Sequence, residues 1–230
     1  MSEVKRNIAV TFLFLVCVYG LYAAYTRGNA NAWYFKAEFA LNDWAAEGKI
    51  PNIQQYTETL AAIEKAHSLD PGHPHYVHML GRIIHLGIDN EFESIDKLSV
   101  VKRKYLKASE LRPLWPDPWV DLARLNHYLH GYNAETQFYL ERALKTGPFV
   151  DSVTISTVEI LLLHWEELSG GDRALLFEQF DIATKQAKAL KAVLSFAQQI
   201  EQEKLLCLQL KYNPKYIKKK KSKIFKQFCK

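Results

Sequence analysis

Three places in the chain share one spacing, an alanine followed five residues later by a proline. They are Ala66 and Pro71, Ala108 and Pro113, and Ala143 and Pro148, offset by 42 and 35 residues. Three residues before each alanine stands a large apolar residue: Ile63, Tyr105 or Leu140. The first two copies also match beyond the proline. Leu80-Gly81 follow Pro71, and Leu122-Ala123 follow Pro113, at the same distance, with Trp119 between Pro113 and Leu122. A small residue lets two helices approach closely, and the large residue one turn earlier fills the gap beside it. Proline has no amide proton to continue the helix, so it ends the helix and sets the turn to the next one. A unit that recurs at this length buries its apolar face by stacking on its neighbours.

The rest of the chain reads as helices too. Residues 31–47 carry Trp33, Ala37, Ala40, Leu41 and Trp44 on one face, and 52–69 repeat Tyr56, Leu60, Ile63 and Ala66 at helical spacing. Further helices fit 75–87, 94–111, 118–130, 134–146 and 151–169 by start and stop signals. Gly87, Gly131, Gly147 and Gly170-Gly171 stand where C-caps belong. No segment alternates as a strand does. The longest helix expected is 171–210, where Leu176, Phe180, Ala183, Ala187, Leu190, Leu194 and Ala197 form a narrow seam. It reads as a capping helix on the preceding array, or as a surface for helix association between protomers.

On these residues the body resembles the tetratricopeptide repeat over about residues 52–160. Trp119, Leu122, Ala123, Tyr105, Ala108 and Pro113 carry the likeness. It implies an all-α, hairpin-built solenoid over 30–170. The 42-residue offset departs from the usual repeat of about 34 residues and places an insertion near 87–95. The third copy departs further, with Thr154, Thr157 and Val158 at first-helix positions.

Ahead of this body, Ile8 to Tyr25 run eighteen residues without a charge, behind Lys5 and Arg6 and before Arg27. At about 1.5 Å per residue that length matches a bilayer's hydrocarbon core. Tyr19, Tyr22 and Tyr25 stand where an interfacial belt would lie. The expectation is an anchor over 8–26, residues 1–7 in the cytoplasm, and the body on the far side. In a Gram-negative bacterium that is a single-pass inner-membrane protein with a periplasmic body. Ala30-Asn31-Ala32 keeps a cleaved leader open as the alternative.

Net charge is +5, yet residues 211–230 hold nine lysines and no acid, which leaves −4 for the remainder. Basicity confined to a tail argues against a nucleic-acid-binding core. The tail, with Tyr216, Ile217, Phe225 and Phe228 among its lysines, reads as disordered. It suits an anionic lipid or an acidic polymer, or simply solvent. Cys17, Cys207 and Cys229 are scattered and odd in number, which speaks against a disulfide framework.

Candidate binding residues follow from the repeat register. First-helix positions facing a concave side are His75, His78, Arg82 and His85 in one copy. In the next they are Asp117, Arg124, His127 and Tyr128. Such groups hydrogen-bond a peptide or glycan, and imidazoles make their charge pH-dependent. His73, His75, His78 and His85 also form a His-rich stretch, but no cysteine and few acids stand near, so no metal or other cofactor is expected. Trp115, before Pro116-Asp117-Pro118-Trp119, either caps a hairpin or stacks on a ligand. No phosphate-binding glycine loop, nucleophile elbow or zinc-protease motif occurs, and an enzyme is not expected.

The anchor, the segment AWYFKAEFALNDW, the SLDPGHPHY turn and LRPLWPDPW together resemble the VpsP family over most of residues 8–200. These are proteobacterial accessory proteins of exopolysaccharide biosynthesis. The resemblance implies a scaffold whose partners are other proteins of a polysaccharide assembly or export machine. The residues alone leave a glycan- or peptide-binding protein open as the second reading.

Overall fold

The computed structural model describes residues 3–229. The three Ala-x4-Pro motifs end their helices in one way. The amide four residues after each alanine donates to the alanine carbonyl: Asp70 to Ala66 at 3.1 Å, Arg112 to Ala108 at 3.0 Å, Gly147 to Ala143 at 2.9 Å. Proline comes next and the helix stops. The helices so ended are α2 (Ile53–Leu69), α4 (Leu98–Leu111) and α6 (Ala134–Thr146). Each is followed by a connection of four residues, then by α3 (Pro74–Asp89), α5 (Pro116–His130) or α7 (Asp151–Leu163).

The difference between the two repeat offsets is also placed. Most of it lies in the connection 90–97 between α3 and α4, against 131–133 between α5 and α6. One extra residue in α3 and one in α4 ahead of the motif supply the rest. Among the described residues there are helices and turns and no strand.

The chain divides into two units, Met1–Arg112 and Pro113–Lys230. In the first, α1 (Glu3–Glu47) pairs with α2, and α3 pairs with α4, with α2 and α3 packed together. The α2 N-terminus is capped by the Asn52 side chain, which accepts from the Gln55 amide at 2.9 Å. Ala37, Leu41, Trp44, Tyr56, Ile63, Ala66, Leu80, Ile83 and Tyr105 are buried. Gly81 faces Tyr105 so closely that a β-carbon there would stand 2.8 Å from the ring.

The anchor expected over 8–26 and the body expected from 30 are joined without a break. One uninterrupted helix runs from Glu3 to Glu47. Gly28 weakens a helix by about 1 kcal/mol but does not break it, and no proline intervenes. Ala30 is already buried in the body.

In the second unit α5 pairs with α6, and α7 with α8 (Gly170–Lys185). The expected single helix 171–210 is three: α8, α9 (Ala187–Gln199) and α10 (Glu203–Tyr212). Gln186 is extended, and α9 turns back to pack on both α7 and α8. Neither glycine nor proline marks this bend. Folding back puts Leu190, Val193, Leu194 and Ala197 into one core with Leu161, Leu176 and Phe180, and that burial outweighs a few helical hydrogen bonds. At the second break Glu201 takes φ 57°. The Gln202 amide donates back to the Ala197 carbonyl at 2.8 Å, a left-handed helix end built without glycine.

The Lys-rich tail is likewise ordered over 211–229, against expectation, with Lys230 outside the described residues. A 3-10 segment, Pro214–Lys221, leads to α11 (Lys223–Phe228). Tyr216 and Phe228 are buried in the core of this unit, and a disulfide joins Cys207 to Cys229 with Cα atoms 5.3 Å apart. Cys17 is the free cysteine. The apolar residues among the lysines reach a core that α9 and α10 leave open, which lysine-dominated composition conceals.

Candidate functional site

The concave-face candidates separate into groups once their partners are seen. His78 is 4% exposed, with its ring 5.5 Å from that of Tyr105. His85 lies 3.2 Å from the Tyr105 hydroxyl through Nδ1. Both contact Tyr105 of the α3–α4 hairpin; the burial of His78 corrects its expected place on an open face, whereas His85 is half-buried. His75 meets the Arg112 guanidinium through Nε2 at 2.9 Å. Arg82 is exposed and lines a cavity of about 300 Å³ with Leu41, Trp44, Lys49, Ile50 and Leu86.

In the second unit the candidates cross-link α5 to α7. Asp117 accepts from the Ser152 hydroxyl at 2.9 Å and from the Trp115 indole at 2.6 Å. Arg124 donates to Ser156 at 3.2 Å and lies 3.8 Å from Glu159. Burial raises the Glu159 carboxyl above its ordinary range, and Arg124 partly opposes that. His127 and His164 meet through their Nε2 atoms at 2.9 Å, with Tyr132 stacked on His164. One ring must donate and the other accept, so the pair holds together with at least one imidazole neutral. Burial, then the neighbouring His164, lowers the His127 titration. Tyr128 is 71% exposed. The indole of Trp115 is thus engaged by Asp117, as a turn-capping residue would be.

The residues expected to pack the repeats are mostly buried. Ala66, Leu80, Gly81, Tyr105, Ala108, Trp119, Leu122, Ala123 and Ala143 are buried. Trp119 donates to the Pro113 carbonyl at 3.1 Å and carries the Arg142 guanidinium 4.9 Å above its ring. Pro71 and Pro113 are exposed in the turns they shape, and Pro148 is half-buried. Among the described residues no three His, Cys, Asp or Glu side chains come together as a cation site requires.

A second cavity, of about 420 Å³, is lined by Arg27, Asn31, Asp70, Gly72, His73 and Tyr76. Tyr76 donates to Asn31 Oδ1 at 2.8 Å, and the His73 ring stacks on Tyr76 at 4.0 Å. Burial lowers the His73 imidazole, with Asp70 raising it and Arg27 lowering it. Sequence reasoning missed this site. Its parts were visible separately, Arg27 as the first charge after the apolar run and the SLDPGHPHY turn as the source of Asp70, Gly72, His73 and Tyr76, but nothing in the sequence joined them.

No protein-family model matches the chain, and no curated protein does. Among solved structures, it is similar to one from work described as the functional characterization of Pseudomonas aeruginosa pilF. The two are 14% identical, the match covers 87% of this chain and 98% of that one, and the TM-score is 0.37. So loose a likeness adds nothing to the fold, which rests on the hairpins and on one N-terminal helix long and apolar enough to cross a membrane.

Proposed function

We propose that this chain is a membrane-anchored helical-repeat scaffold for proteins of an exopolysaccharide assembly or export machine, with its body in the periplasm. The observation that carries the reading is the continuity of α1. The apolar stretch and the first helix of the first hairpin are one rod, so the membrane anchor is joined to the repeats without a flexible linker. A rigid mount suits a part that positions others. The Cys207–Cys229 disulfide supports an oxidising compartment, and the mid-helix position of Ala30-Asn31-Ala32 supports retention of the anchor. The polysaccharide pathway rests on the VpsP resemblance alone. Cross-linking the protein in native membranes, followed by mass spectrometry, tests the scaffold. Polymerases, glycosyltransferases or export proteins are expected in the cross-linked set; a monomer or homodimer without them contradicts it.

The Arg82 cavity favours a second reading, direct binding of a glycan or peptide. Trp44 offers an aromatic wall and Arg82 a charge. Under that reading Arg82→Ala abolishes polymer or peptide binding and leaves the helical circular dichroism intact. Arg124 is unsuited to this test, because it also ties α5 to α7.

A further inference from the structure

The cavity lined by Arg27 and Asp70 lies at a height fixed by α1. Tyr25 is the last residue of the uncharged run, and α1 continues through it without a break. At about 1.5 Å per residue, Arg27 stands about 3 Å beyond Tyr25 and Asn31 about 9 Å beyond. The polar layer of a bilayer leaflet is about 5–7 Å thick. The cavity mouth is therefore level with the lipid headgroups and the water just above them.

Its chemistry is that of a zwitterion. Arg27, an exposed residue, and Asp70, a half-buried one, both line this cavity and bring it one charge of each sign. Among the described residues no ion pair joins the two; both charges act on the His73 imidazole, and Asp70 acts on Tyr76 as well. Opposite charges that line one space without pairing suit a ligand that carries both charges. Asn31 and Tyr76, already bonded to each other, and the stacked His73 ring form polar and flat walls between them.

We propose that this cavity holds the headgroup of an aminophospholipid of the bilayer that α1 crosses, with Arg27 on the phosphate and Asp70 on the ammonium. This rests on the membrane reading above. A primary ammonium donates hydrogen bonds to a carboxylate, which a trimethylammonium cannot. A glycerol headgroup offers the phosphate but leaves Asp70 facing an anion. The order of preference is therefore phosphatidylethanolamine over phosphatidylcholine and phosphatidylglycerol. Occupancy would fix the depth of α1 and the orientation of the first hairpin.

The test uses the full chain in detergent, offered the three lipids in equal amounts, with retained lipid read by native mass spectrometry. Wild type retains phosphatidylethanolamine in excess. Asp70→Asn lowers its ratio to phosphatidylglycerol by about tenfold, as loss of one charge-assisted contact implies. Arg27→Gln lowers retention of all three. Equal retention of the three lipids by wild type overturns the proposal, and so does a ratio unmoved in a folded Asp70→Asn protein. If Asp70→Asn does not fold, the wild-type ratio decides alone. Soluble phosphoethanolamine binding as tightly as the lipid overturns the bilayer source. Carbonate washing of membranes tests the anchor separately: release of the protein removes the membrane reading, whereas retention with no lipid preference removes the headgroup site alone.

Discussion

Gly81 and Tyr105 show what the repeat motif does at the scale of one contact. The ring occupies the space a side chain on Gly81 would need, because both helices contribute to one close crossing. Gly81→Val forces the ring or α3 aside and should cost about 1–3 kcal/mol, read as a lower melting temperature by circular dichroism. Glu201 is the reverse case. It takes φ 57°, where a side chain is strained by about 1–2 kcal/mol and glycine is not. Glu201→Gly should stabilise the protein by up to about 1 kcal/mol in denaturant unfolding, and an unchanged or lower midpoint would show that the Glu201 side chain has a role of its own. Glycine was readable in part: Gly131 and Gly147 are the C-caps expected, whereas Gly87 lies inside α3 and Gly170-Gly171 open α8. The left-handed Glu91 and Glu201 were not readable, since nothing local distinguishes a glutamate that ends a helix from one inside it.

At the scale of elements, legibility followed the residues that cannot do otherwise. Pro71, Pro113 and Pro148 cannot extend a helix, so three helix ends and their equal connections were fixed by spacing. Gln186 can extend one, and only the core waiting for α9 makes it bend. Cys207 and Cys229 likewise gave no sign of pairing until α9, α10 and the tail brought them together. The same long-range packing buried His78, which no register could show. The tail is held by two devices that separate experimentally. Cys207→Ser opens a loop of about 22 residues and should lower stability by about 3 kcal/mol in the chain-entropy view, with the tail becoming protease-sensitive first. Asp181 accepts from Tyr216 at 2.9 Å and from Lys215 at 2.8 Å. Burial alone would raise its carboxyl, but the bonds from Lys215, Tyr216 and Lys185 outweigh burial and hold it below the ordinary range. Its contribution is full above the unfolded carboxylate value of about 3.9 and is lost as pH falls through the lowered folded value. Melting curves of wild type and Asp181→Asn should therefore converge on acidification below pH ~4 and stand apart at pH 7.

For the whole molecule, the proposed arrangement is a repeat body mounted on a membrane and facing an oxidising compartment, and the apolar run, the continuous α1 and the disulfide support it. Each is an independent physical statement: an uncharged span of bilayer length, a helix without a hinge, and a bond that persists where thiols are not kept reduced. The lysines of the tail bear on this too, since disulfide and core hold them as a surface and not as a loose chain. The most direct measurement is protease and maleimide access in spheroplasts of the expressing bacterium. Added protease is expected to remove the body and leave a short protected fragment containing the apolar run, and Cys207 and Cys229 to resist maleimide until a reductant is added. A body that stays protected in intact spheroplasts, with both cysteines free, would contradict it.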